Sequence, residues 1–425
     1  MSTSFGTTGP IPATSYPVVG MAQTGPINAS QASPIRMGRS VGRQIPGNSL
    51  RILQIDSHSF ELHSISDAID SAFDAIYRDI LQNRSADWDL FTRAASDFLD
   101  SDPSPAEMDQ FFEAAEPISF FLAEYRKIDA ACDYWLDILG VITNRERQLS
   151  RQYHKGSGYF FWACSWFSRG DTDTGLLIMN KALIEDKRQQ CCSNGNWPNS
   201  SAAMVVTLDQ SLNLLHPASW WVGEQVQEID DALDSANLNL RTSDIRSRLF
   251  LGSDTDLISL LIYSHSSILR IERLNLDHHD SKLLGSLALN HLFRITVIIE
   301  NLLKARTGSH GSFMQQIQEL SCQIGGQLKG QMPSQNGLQY ASCINDQRKA
   351  NASLLLRQLI DGTARYRDVG QTNVSNLDQP LCVAYVLRNI GAHDLDVPVI
   401  IAEEIHSLRV HVLATLVKCV EIYYP

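Results

Sequence analysis

The chain has 425 residues, 44% hydrophobic and 19% charged, with 25 Gly and 15 Pro. That balance excludes a collagen, a wholly disordered chain and a coiled-coil rod, and at roughly 100–200 residues per domain it leaves room for two or three domains. The 35 Lys and Arg against 47 Asp and Glu give a net charge of -12, which excludes a protein that coats nucleic acid through a bulk basic field but leaves a local site open.

Residues 1–50 differ from the rest. Half of them are Gly, Pro, Ser or Thr, and their only charged side chains are Arg36, Arg39 and Arg43. Such a segment buries too little apolar surface to offset its ordering entropy, so a flexible arm is expected. From residue 51 onward the pattern predicts helix after helix. Ser64-Ile65-Ser66-Asp67 leads into a helix over 68–80, with Ile69, Phe73, Ile76 and Ile80 on one stripe. Ser104-Pro105-Ala106-Glu107 combines a capping Ser, Pro at the first helical position and an acid in the first turn. Period-2 runs of β-branched residues are scarce, and the fold class expected is all-α.

Residues 159–186 predict two short helices joined at Arg169-Gly170-Asp171, with small Ala163, Gly175 and Ala182 at the close approach and Trp166 and Met179 filling the space between. The spacing resembles a tetratricopeptide unit, with Lys187 where that unit usually has Pro. A fainter unit spans 120–139, with Ala131 and Trp135 in its second helix. A helical-repeat-like domain is therefore expected over 51–265, and a second bundle over 266–425. The aromatic cluster Tyr159, Phe160, Phe161, Trp162, Trp166 and Phe167, and likewise Trp220-Trp221, predict core. In the last third, helices are predicted over 257–274, 283–306, 347–368, 380–391 and 398–424.

No apolar run approaches the ~18 residues of a membrane span, and no charged segment followed by an apolar one opens the chain. A cytoplasmic protein with no membrane partner is the expectation. The eight Cys include no CxxC, and adjacent Cys191-Cys192 make a poor disulfide or metal pair, so reduced thiols, no metal and no cofactor are expected. Asp277-His278-His279-Asp280 lacks the further acidic motifs of a metal phosphoesterase and predicts a solvated linker. His154-Lys155-Gly156 predicts a helix-entry turn.

The sharpest chemical signal is Leu387-Arg388-Asn389-Ile390-Gly391-Ala392-His393-Asp394, set between two apolar helices. Arg offers a permanent planar cation for a phosphate or a developing phosphorane. His exchanges a proton near neutral pH, and Asn389 can fix the Arg or the phosphate. On an ideal helix two residues five apart lie about 140° from one another, so a bend or end at Gly391 is expected to turn His393 back toward Arg388. Arg273 and His278 share the bare spacing but lack the polar residue after Arg.

The segment resembles the HEPN ribonuclease signature, Arg followed by Asn, Asp or His, then three residues and His, and the resemblance covers residues 280–425. It implies a small all-α bundle that cuts RNA without metal. Arg388 and His393 would be catalytic and Asn389 would orient them. An acid on an earlier helix, Glu300, would support them, and the site would be completed across a homodimer. By that resemblance the 2′-OH attacks the neighbouring phosphate, leaving a 2′,3′-cyclic phosphate and a 5′-OH, in a defence or toxin protein held in check until triggered. The 51–265 domain would receive a protein or ligand trigger. The two-fold contact is expected on the 380–391 helix and the helix after Pro398. Arg348, Lys349 and Arg357 are expected to contact RNA phosphate. Two other readings stand beside this one. One is a non-catalytic scaffold that dimerises through its C-terminal bundle; the other is a bundle that binds a nucleotide without cleaving it.

Overall fold

The computed structural model describes residues 50–55, 58–124, 127–189, 200–212, 217–251, 255–275, 282–307, 311–328, 333–335, 338–339, 346–366, 372–393 and 399–424. The arm expected over 1–50 lies, apart from Leu50, outside them, as do the 277–280 motif and Cys191-Cys192.

The class is all-α, as expected, but the first described elements are strands. Strands β1 (Leu50–Ile55) and β2 (His58–His63) form an antiparallel hairpin, with Leu50 opposite His63 and Ile55 opposite His58. Leu53 and Leu62 turn inward and are buried, while Ile52 faces out. Six residues of period-2 alternation suffice once a helical wall is available, and β2 packs on helix α3 (Pro105–Glu124). Where helix was expected from residue 51, the chain forms a strand pair, and the first helix begins at Asp67.

Helix α1 (Asp67–Leu81) starts as its sequence predicts: the Ser66 side chain accepts from the Ile69 N–H, and Ile69, Phe73 and Ile76 are buried. Helix α2 (Trp88–Asp100) is capped by Asp87. At the start of α3 the Ser104 N–H donates to Glu107 at 2.7 Å and the Glu107 N–H donates to Ser104 Oγ at 3.3 Å, a reciprocal capping box. Helix α4 (Ile128–Leu149) packs back on α3 and buries Ala131 and Trp135. Helices α5 (Gly156–Arg169) and α6 (Thr172–Gln189) form the predicted hairpin. Gly170, at φ 84°, makes the left-handed turn, and Asp171 accepts from the Thr174 N–H. Met179, Ala163 and Ala182 are fully buried between them.

Helix α7 (Ser201–Val206) and α8 (Pro217–Ser235) follow, then α9 (Thr242–Ile245) running into a π-helical turn at Arg246–Phe250. Trp221 is core, but Trp220 is 69% exposed. Neighbours on a helix diverge by about 100°, so only one of the pair can face inward.

Helix α10 (Thr255–Leu274) packs on α11 (Lys282–Thr307), and α12 (Phe313–Gln323) comes next. The boundary expected at 265/266 falls in the middle of α10, and a large hydrophobic cluster spans Leu53 to Tyr424, beside a small one of Ala232, Val410 and Leu413. Among the described helices α11 alone is long and apolar enough to cross a membrane by length and composition. Here it packs against α10 and three later helices, α14 (Gln379–His393), α15 (Val399–Glu403) and α16 (Ile405–Tyr423), which bury half of its apolar stretch.

Two predicted helices are shorter than expected. The one expected over 347–368 is α13 (Asp346–Ile360); past its end Gly362 turns at φ 68°, and the chain enters a short strand, Arg365–Tyr366, paired with Pro333–Gln335, which pairs in turn with Leu338–Gln339. The one expected over 398–424 is broken at Glu404 into α15 and α16. Helix α16 is buried almost along its length and packs on α8, α10, α11 and α14.

Candidate active site

Helix α14 is seated at its start by Asp378. The Cys382 N–H donates to the Asp378 carbonyl. The fully buried Asp378 carboxylate accepts from Ser321 Oγ at 2.5 Å, the Gln327 N–H at 2.7 Å, Ser375 Oγ at 3.0 Å and the Tyr366 hydroxyl. An uncompensated buried carboxylate is expensive, and four donors supply its solvation here. From Leu381 to Leu387 the helix is buried on all sides. It reaches the surface at Arg388 and Asn389, both half-buried.

Arg388 Nε donates to Glu300 Oε2 on α11 at 2.9 Å, and Lys304, one turn further along α11, donates to Glu300 Oε1 at 2.6 Å. Burial alone would raise the Glu300 carboxyl, but the hydrogen bonds from Lys304 and Arg388 outweigh it and hold it below the usual carboxylate range. The Arg388 guanidinium also lies over the Phe293 ring, 5.5 Å from its centroid. Its two terminal nitrogens have no partner among the described residues. Asn389 Nδ2 donates back to the Tyr385 carbonyl at 3.0 Å. The expected supporting acid is thus in contact with the expected catalytic Arg. Lys304 and Phe293 were not singled out from sequence. The i, i+4 spacing of Glu300 and Lys304 was the signal available for the first. Nothing local marks the second.

Gly391 does not bend the helix. α14 continues unbroken to His393, and a Cβ at 391 would fall 2.5 Å from Phe293 Cβ. The glycine is there so that α14 and α11 can approach. Position 393 is therefore carried about 140° around the axis and ~7.5 Å along it from position 388. The His393 side chain lies outside the described residues, as does 394–398.

The other expected contacts are scattered. Arg357 is 54% exposed but pairs with Glu403 of α15 at 2.6 Å, and Arg348 and Lys349 lie on α13 with side chains outside the described residues. Arg273, of the second Arg/His spacing, bridges Glu224 and Glu228 of α8 at 2.7 and 2.9 Å, a structural use of its charge. No family model, curated protein or solved structure matches the chain.

Proposed function

We propose that the chain is a metal-independent RNA endonuclease acting through Arg388, Asn389 and His393. The observation that carries this is the meeting of Arg388 with Glu300 at the one edge where α14 emerges from the core. A guanidinium held at Nε by a carboxylate and backed by an aromatic ring presents its terminal nitrogens in a fixed direction. That is what charge stabilisation on a phosphorane needs. In the reaction the ribose 2′-oxygen bonds to phosphorus as the bond to the 5′-oxygen breaks. His393 takes the 2′-OH proton or delivers one to the leaving 5′-oxygen, and the products are a 2′,3′-cyclic phosphate and a 5′-OH. Lys304, 41% exposed, adds a second cation beside the path of the phosphate. A homodimer across the Arg388–Asn389 edge would supply a second set of groups. A cytoplasmic defence or toxin role, with a trigger received by the N-terminal helical hairpins, completes the proposal.

A nucleotide-binding bundle without cleavage is the second reading. The unbroken α14 favours it, because the helix does not by itself turn position 393 toward Arg388. The test is incubation of the full-length protein with RNA in EDTA, alongside Arg388→Ala and His393→Ala. Cleavage that leaves cyclic phosphate ends and is lost in both variants supports the nuclease. Nucleotide binding without cleavage, abolished by Arg388→Ala, supports the second reading.

A further inference from the structure

We propose that His154, Asp109 and Asp186 form a proton-operated clasp that seats the α5–α6 hairpin against α3 and loosens as pH rises. The motif at 154–156 is the predicted helix-entry turn, and the structure surrounds it with charge. The buried His154 ring presents Nε2 to two carboxylates at once, Asp109 Oδ1 on α3 at 3.4 Å and Asp186 Oδ1 on α6 at 3.6 Å. Gly156 leaves the room for this: a Cβ there would fall 2.1 Å from Asp186 Oδ1 and 2.7 Å from the His154 ring. Ser157 Oγ donates to Asp109 at 2.7 Å, so the first turn of α5 is tied to the same carboxylate.

The neighbouring charges are committed elsewhere. On the α4 side Lys155 pairs with Glu146. On α6, Arg188 pairs with Glu185 at 2.6 Å and also donates to the Tyr153 carbonyl. On α3, Glu113 faces His63 of β2 at 3.4 Å. Two carboxylates therefore face one ring nitrogen, which carries at most one proton. With both ionised and the ring neutral, one carboxylate lacks a donor from that ring, and for Asp186, 14% exposed, that is costly. One extra proton among the three groups completes the set.

The protonation preferences agree. Burial pushes Asp186 up to about 6 despite the hydrogen bond from Ser200. Asp109 keeps 39% of its side chain exposed, yet the helices packed around its carboxylate push it up to about 7. Burial holds His154 below its ordinary range. A carboxyl raised in the folded state binds a proton more tightly there than in the open state. The carboxyl contribution to closure is therefore present at low pH, weakens above the ordinary carboxylate value of 3.8 and is lost as pH rises through about 6 to 7, while His154, lowered in the closed state, opposes it below its own ordinary value of 6.5. Among the described residues no group of this kind converges as a metal site.

Hydrogen exchange on the full-length protein tests the clasp, with the α16 amides as internal reference. From about pH 5.5 to about pH 8.5, protection of the α5 amides relative to α16 should fall about tenfold, the worth of one pKa unit. Asp109→Asn or Asp186→Asn leaves one carboxylate for one ring N–H, and each should flatten the dependence. A flat wild-type profile overturns the proposal even if a variant fails to fold, and so does an unchanged slope in a folded Asp109→Asn or Asp186→Asn protein.

Discussion

Arg388 of α14 and Glu300 of α11, 88 positions apart in sequence, meet at 2.9 Å. The contact joins the arginine proposed to hold a phosphate to an acid that fixes its Nε, and Lys304 closes the other side of that acid. Glu300→Gln keeps the shape and removes the charge. A hydrogen bond to a charged group is worth about 1.5–3 kcal/mol, so RNA cleavage should fall about tenfold or more, with secondary structure by circular dichroism unchanged. Cleavage at the wild-type rate in Glu300→Gln would separate the ion pair from the chemistry.

The same pair carries a pH signature. Because the Glu300 carboxyl is held below its ordinary value of 4.5, its contribution to stability is complete above that value and is lost as pH falls through the lowered one. Acid denaturation of Glu300→Gln should lack that component. The difference in unfolding free energy between wild type and variant should therefore shrink as pH falls below about 4. A difference constant down to acid unfolding would contradict the assignment.

Gly391→Ala should destabilise the fold, because the added methyl meets the Cβ and ring of Phe293 rather than a mobile side-chain tip. Overpacking of this kind costs about 1–3 kcal/mol. Urea unfolding should show a lower midpoint at an unchanged slope. Combining Gly391→Ala with Phe293→Leu should recover part of the loss, since the clash is with that ring.

What the sequence disclosed follows from the range of the interactions involved. The caps at Ser66 and at Ser104 with Glu107, and the Gly170 turn between α5 and α6, are settled within four residues, and all were legible. Arg388 could be singled out by its residue type and Glu300 by helix placement, but their contact depends on α11 and α14 packing side by side. The β1–β2 hairpin is not legible locally because its burial is supplied by α3, which begins only at Pro105. The end of α13 before Gly362 and the break at Glu404 were missed because charge and apolar spacing continue past both. The division of Trp220 from Trp221, and the use of Gly391 for close packing, are likewise decided by partners distant in sequence.

Asp378→Ala should be among the most damaging single substitutions. It strands the donors of Ser321, Tyr366, Ser375 and the Gln327 backbone in a buried site, and each unsatisfied group costs about 1–3 kcal/mol. Asp378→Asn retains an acceptor and should be milder. The thermal midpoints of the two variants, measured side by side, check this ordering, and equal midpoints would show that the network contributes little.

The C-terminal third should not fold alone. Cutting after Leu274 looks natural, since α10 ends there, yet it removes the helix that covers one side of α11. It also removes partners of Arg409, which is 2% exposed on α16. Arg409 Nε donates to Glu272 of α10 at 2.8 Å, and its terminal nitrogen donates to the Glu228 carbonyl of α8 at 3.3 Å. His406 reaches the same Glu272 at 2.7 Å. In a 275–425 fragment the apolar faces of α11 and α16 meet water, and Arg409 loses both acids. Breaking a buried pair by removing one partner costs about 3–5 kcal/mol, a large fraction of the total stability of a domain, which is about 5–15 kcal/mol. The fragment should therefore lack a cooperative thermal transition and associate in solution. Extending it to begin at residue 217, which restores α8 and α10, should bring cooperativity back. Circular dichroism melts of the two fragments decide the matter, and a sharp transition in the 275–425 fragment near that of the full chain would show that the bundle is autonomous.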